Sequence, residues 1–124
     1  MILLRDLMEN MIPVYKGISV SGSPLLTAIN SRVYKGLSVS GYPLFTISGN
    51  KLYKGNSVAG TPLATVTSDK VFLKNNVSGS PIARIVGHNV YKGNDVSGSP
   101  LASSNTKDVH ALMAAAYYVL FGDN

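Results

Sequence analysis

The sequence predicts a mainly β protein, in which five antiparallel β-hairpin repeats close into a barrel of about ten to twelve short strands around a buried C-terminal α-helix. Three observations predict it. A unit of 19 residues recurs five times without insertion, at 14–32, 33–51, 52–70, 71–89 and 90–108. Each unit carries two strand signals and two turn signals. After the last unit the period of two stops, and an apolar, alanine-rich stretch follows at 109–121.

The first strand signal is the "VYKGISV" type, whose Val, Tyr and Ile suit a pleated, half-buried surface. The pattern predicts a strand through this whole stretch, with the glycine at its fourth position (Gly17, Gly36, Gly55 and Gly93) read as a bulge. In the fourth unit Lys74 replaces that glycine, which argues against an obligatory positive φ at this column. Parity leaves open which of the Val and Tyr columns faces inward. Next comes "SGSP", in which the glycine supplies positive φ where the chain reverses and Pro24 or its counterpart sets φ at the start of the next strand.

The second strand is the "PLATVT" type. Its period of two puts Leu26, Phe45, Ala64, Ala83 and Ala102 on one face with Ala28, Ile47, Val66, Ile85 and Ser104. The residues between them, Thr27, Thr46, Thr65, Arg84 and Ser103, are assigned to the wet face. Leu25, Leu44, Leu63, Ile82 and Leu101, one residue after each proline, are expected to cover the rim. Pairs such as Asn30–Ser31 and Gly49–Asn50 end the strand as turn formers. Strands of about six residues joined by such short loops are antiparallel, because a parallel crossover takes a dozen or more residues.

From Val109 to Phe121 the one clearly polar side chain is His110. A helix that is apolar all round is buried on all sides. Asn105 is its candidate N-cap, with Asp108 three residues on, and Gly122 its C-terminal stop. Ten strands about 4.8 Å apart and tilted by about 40° enclose a cylinder of roughly 10 Å radius. Small inward residues such as Ala64, Ala83 and Ala102 leave room there for a helix. The N-terminal residues 1–13 are read as one or two further strands. The rival arrangement is an open β-solenoid whose helix caps one end or packs against a second copy, as a homo-oligomer. Closure removes exposed strand edges, and this favours the barrel.

The "VYKGNxVSGSPLATI"-type unit followed by an Ala-rich apolar tail resembles uncharacterised bacterial hairpin-repeat proteins of the kind called β-flower proteins. That resemblance covers the repeat region and implies a repeat module. The inferred layout, a barrel of short strands around an apolar helix, is also similar to the Tubby and LURP-one-like fold, by architecture alone.

Composition narrows the function. The 124 residues are 45% hydrophobic and 14% charged, which suits one globular domain made of 1–13 as N-terminal strands, 14–108 as the repeats and 109–122 as the helix. With no cysteine, disulfides and thiolate metal sites are excluded. A net charge of +5 favours anionic partners, although the basic residues are spread over the repeats and form no run. Arg5, Asp6 and Glu9 interrupt the N-terminal apolar run, and the 13 residues of 109–121 fall short of the ~20 that a membrane span takes. The expectation is a cytoplasmic protein, with leaderless export left open.

An enzyme needs a unique constellation of groups, and none is legible. His88 sits in a Gly–His–Asn turn and His110 in the first turn of the helix, with no Ser, Asp or Cys at triad spacing. Asp69 and Asp95 fall in turns or loops without pairing. No metal-ligand, calcium-loop or phosphate-binding glycine motif is present, so no metal or cofactor is expected. The recurrent constellation is the pair Tyr15–Lys16, Tyr34–Lys35, Tyr53–Lys54 and Tyr91–Lys92. Identical units around an axis present identical sites in a ring, and weak sites so arranged gain avidity. Tyrosine faces stack on sugars and lysines attract phosphate or sulfate. In the plainer reading, Tyr is a strand former and Lys is solvated. Two functions follow: a non-enzymatic repeat scaffold or protein-interaction module, and a multivalent binder of glycans or anionic lipid through these pairs. Nucleic acid is disfavoured, for want of a dense basic patch with interleaved aromatics.

Overall fold

The computed structural model describes residues 11–37, 39–94 and 96–122. Ten strands run in chain order: β1 (Ile12–Lys16), β2 (Leu26–Ile29), β3 (Arg32–Lys35), β4 (Phe45–Ser48), β5 (Lys51–Lys54), β6 (Ala64–Thr67), β7 (Lys70–Leu73), β8 (Ala83–Val86), β9 (Asn89–Lys92) and β10 (Ala102–Ser104). One helix follows, α1 (Val109–Phe121). All neighbours are antiparallel, and the sheet closes into a barrel where β1 pairs with β10. The closed form, not the open solenoid, is the fold.

Four hairpins are local. β2–β3, β4–β5, β6–β7 and β8–β9 are each joined by two residues. Asn30 and Ser31 both take positive φ, whereas in the other three turns only the first residue does (Gly49, Ser68 and Gly87). The fifth hairpin has no turn. β10 and β1, from opposite ends of the repeat region, pair as Ala102↔Lys16 and Ser103↔Tyr15, the register that Leu26↔Lys35 and Thr27↔Tyr34 use in the first hairpin. The two ends of the repeat region therefore complete the ring by the same side-chain logic as the covalent hairpins.

Register sets the size of the barrel. Crossing one repeat from Val14 to Leu26 to Lys35 lands two residues beyond Val33, the counterpart of Val14. The same slip recurs in every repeat, and five such slips tilt the strands by about 40° and give a radius of about 9 Å. A helix about 10 Å across fits inside.

The Val column, not the Tyr column, faces inward: Val14, Val33, Leu52, Val71 and Val90 are buried, while Tyr15, Tyr34, Tyr53 and Tyr91 are half-buried on the outer wall. Each fully buried aliphatic side chain of this size contributes about 1.5–3 kcal/mol relative to exposure. The strands are shorter than the pattern predicts, and the first one of each repeat stops at the lysine position, which Leu73 takes in the fourth repeat. The glycine after it is therefore no bulge. It ends the strand in the left-handed region, and Lys74 adopts it too (φ 55°), so positive φ is obligatory at this column after all. The geometry requires it because this residue is held from both sides. Its N–H donates to the carbonyl of the rim residue (Gly36 to Leu25, 3.0 Å; Lys74 to Leu63, 2.9 Å). Its carbonyl accepts a side-chain hydroxyl: Thr27 Oγ1 to Gly36 at 2.6 Å, Thr46 to Gly55 at 2.6 Å, Thr65 to Lys74 at 2.7 Å and Ser103 to Gly17 at 2.7 Å.

Those contacts overturn the wet-face assignment of the threonine column. Thr27, Thr46, Thr65 and Ser103 are buried, because each spends its hydroxyl on holding the loop that leaves the paired strand against the outer wall. Arg84 cannot do this and instead reaches Asp69. Leu25, Leu44, Leu63, Ile82 and Leu101 pack against the core from the rim, as expected.

The helix enters the barrel at the end carrying the two-residue turns and leaves at the end carrying the long loops. Its N-cap is Asp108, not Asn105: the carboxylate accepts from the backbone N–H of His110 and of Ala111, each at 3.0 Å. Gly122 (φ 76°) stops it as expected, its N–H donating to Tyr118. Ala111 to Tyr117 are buried, but Phe121 is exposed, so the helix is enclosed over its first turns and emerges in the last. It runs nearest β6, β8, β9, β10 and β1. On the opposite side Phe45 fills the gap edge-on to Tyr117 and Tyr118, with ring centroids 5.9 and 6.4 Å apart. Among the described residues no helix is long and apolar enough to cross a membrane. The further strands expected within 1–13 fall mostly outside the described residues, although Ile12–Lys16 forms β1.

Candidate functional site

The repeated Tyr–Lys pairs do not converge on one face. Neighbouring residues of a strand point to opposite sides, so Tyr15, Tyr34, Tyr53 and Tyr91 lie on the outer wall beside the threonine column. Lys16, Lys35, Lys54 and Lys92 have the parity of the interior but stand at the strand ends, where they are exposed around the mouth of the barrel. Lys92 lines a groove of about 420 Å³ there with Pro81, Ile82, Gly93, Leu120 and Phe121. In the fourth repeat Leu73 takes the lysine position and Lys74 follows it, so the cation is displaced by one residue rather than lost.

This mouth is also where the long loops emerge, and they carry apolar side chains in water. Ile18, Leu37, Tyr42, Val58, Val77 and Val96 are exposed, Tyr42 at 88% and Ile18 at 71%. Phe121 adds the last turn of the helix. Among the described large apolar residues that are exposed, Val86 alone lies at the opposite end. Sequence reading missed this set because it placed "ISV" inside the first strand. The signal was available: a strand rarely keeps its alternation through a glycine after the lysine in four repeats out of five.

The two ends differ electrostatically. Among the described residues, no carboxylate comes within ion-pair distance of the mouth lysines; Asp95, in the fifth loop by sequence, lies outside the described residues. At the turn end Asp69 faces Lys70 at 3.6 Å and Arg84 at 3.4 Å. Desolvation pushes its carboxyl up, but Lys70, the local backbone and Arg84 together outweigh that and hold it below the usual carboxylate range.

A smaller cavity of about 200 Å³ lies at the turn end, beside Ile12, Ala28, Ile47, Asp108 and His110. Its polar groups are committed. The Asp108 carboxylate caps the helix, and His110 Nε2 lies 3.1 Å from Asn50 Oδ1. The other histidine, His88, directs Nδ1 at the Ser104 carbonyl at 3.1 Å, and Ser104 Oγ donates to the Pro13 carbonyl at 2.9 Å. Among the described residues no cluster of His, Asp and Glu has the makings of a metal site.

The fold is thus a closed ring of hairpins, with its long loops around one mouth and a helix through the middle, the architecture of a hairpin-repeat protein. The chain belongs to the family described as 6-fold beta flower protein, whose model matches residues 14–111. The family description counts six folds, whereas the ring described here closes with five hairpins. Comparison with the curated proteins and with the solved structures finds no significant match.

Proposed function

We propose that the protein is a non-enzymatic binding module, set in the cytoplasm, that works through the loop end of its barrel and takes partners bearing several negative charges. One observation carries the reading: lysines without described carboxylate partners ring a mouth whose loops expose apolar side chains. Five weak contacts of one kind around an axis gain affinity together when the partner repeats its charges. The histidine contacts fit a binding role, since both rings are engaged in holding loops and helix in place. The tyrosines, on the outer wall, serve the barrel rather than the ligand in this reading.

Binding of heparin, as a soluble polyanion, tests it by titration at low ionic strength. Lys35→Glu with Lys54→Glu is expected to weaken binding at least about tenfold, and rising salt to weaken it further. Lys51→Glu with Lys107→Glu, at the turn end, is expected to leave it within about twofold. Equal loss from both pairs would mean that overall charge, not the loop end, carries the binding.

A further inference from the structure

We propose that the partner of the loop end is the surface of an anionic lipid bilayer, onto which the barrel docks mouth first. This rests on the reading just given and names its ligand class. A purely polar polyanion would need the lysines alone. It would gain nothing from Leu37, Val58 and Val77 standing in water at 61%, 54% and 49% exposure. Their position explains them. In four repeats the lysine closes the strand, in the fourth repeat Lys74 follows the strand by one position, and the nearest exposed apolar loop residue comes two to four positions after the lysine. A bilayer surface offers phosphates at its headgroup level and apolar acyl chains just beneath, within the ~5–10 Å that shallow interfacial side chains reach. The loops thus match the bilayer in both layers, and each lysine near such a surface adds attraction that salt screens.

A second copy of the chain fits this end poorly. Docking mouth to mouth would bring Lys16, Lys35, Lys54, Lys74 and Lys92 of one protomer against the same ring on the other, with Asp95 the one carboxylate in the loop sequences. Like charges brought together in this way oppose association. Phe121 at the helix terminus adds exposed apolar surface at the mouth beside Ile82 and Lys92, so the lipid-facing area is not confined to the loops.

The protein contains no tryptophan, so one introduced indole reports its own surroundings. Tyr42→Trp places it on a loop, and Val86→Trp places a control at the opposite end. With vesicles of phosphatidylcholine containing phosphatidylserine, the loop reporter is expected to shift to shorter wavelength and to be quenched by brominated acyl chains. The control is expected to do neither, and vesicles of phosphatidylcholine alone are expected to bind at least about tenfold more weakly. Lys35→Glu with Lys54→Glu should reduce partitioning by at least about tenfold, with circular dichroism showing the barrel still folded. Heparin binding without vesicle binding overturns the lipid assignment and leaves the binding-module reading standing; failure of both overturns both. Equal shifts of the two reporters, or equal binding to neutral vesicles, overturn docking by the mouth. Sedimentation that reveals self-association blocked by Leu37→Asp gives the face to a second copy and also overturns it.

Discussion

The two sides of the barrel wall solve the same packing problem with different residues. At the first inward position of the second strand, Leu26 and Phe45 are large, whereas Ala64, Ala83 and Ala102 are small. The helix lies against the small side, and Phe45 reaches across the remaining gap to Tyr117 and Tyr118. A ring of five identical units has no place for a single helix that lacks fivefold symmetry. One column of unequal side chains is enough to seat it, while the backbone repeat stays regular. The lesson is that symmetry is kept in the hydrogen bonds and broken in the volumes.

That difference is most sharply tested by removing its largest element. Phe45→Ala is expected to cost about 3–5 kcal/mol in denaturant unfolding, because the ring is buried and its loss leaves a cavity beside Tyr117. A cost under ~1 kcal/mol would show that the helix recentres and that its seat is soft. On the small side, Ala83→Leu adds volume where the helix is nearest, and a loss of about 1–3 kcal/mol is expected from overpacking, read from the same unfolding curves. If this variant instead matched the parent protein, the alanine column would not be what positions α1.

A smaller effect of opposite sign comes from the fourth repeat. Lys74 holds a left-handed conformation that its counterparts give to glycine. Lys74→Gly is expected to stabilise the protein by about 1 kcal/mol through relief of that strain. Gly55→Ala is expected to lose a similar amount, although an added Cβ there would touch nothing. Unchanged melting temperatures for both would argue that the column tolerates either conformation. The smallest effect concerns Asp69, on the same side. Its carboxyl titrates below the usual range, so its pairing with Lys70 and Arg84 contributes above the unfolded value and disappears as pH falls through the folded one. The melting-temperature difference between the parent protein and Asp69→Asn should therefore be small at neutral pH and vanish in acid.

Much of this was legible in the repeat. The 19-residue period, the two-residue turns, the apolar faces of the second strands and the helix stop at Gly122 all follow from local rules of side-chain parity and backbone conformation. What misled was also local. The stretch after each lysine looked like a continuing strand because Ile, Val and Leu favour strands, but the left-handed residue had already turned the chain away. The threonines looked wet because Thr usually is. Their burial depends on a carbonyl nine residues later in sequence, or, for Ser103, 86 residues earlier, and no single strand reveals it.

By itself, then, the sequence determined the number and kind of hairpins, their antiparallel pairing and the need of an apolar helix for enclosure, since these depend on neighbours within a repeat. Tertiary structure alone decided the phase of closure, with β10 meeting β1 in hairpin register. It also decided the off-centre seat of the helix and the gathering of lysines and apolar loops at one mouth. The physical reason is distance along the chain: a slip of two residues per repeat has no local consequence, yet summed around the ring it sets the tilt, the radius and which side chains meet.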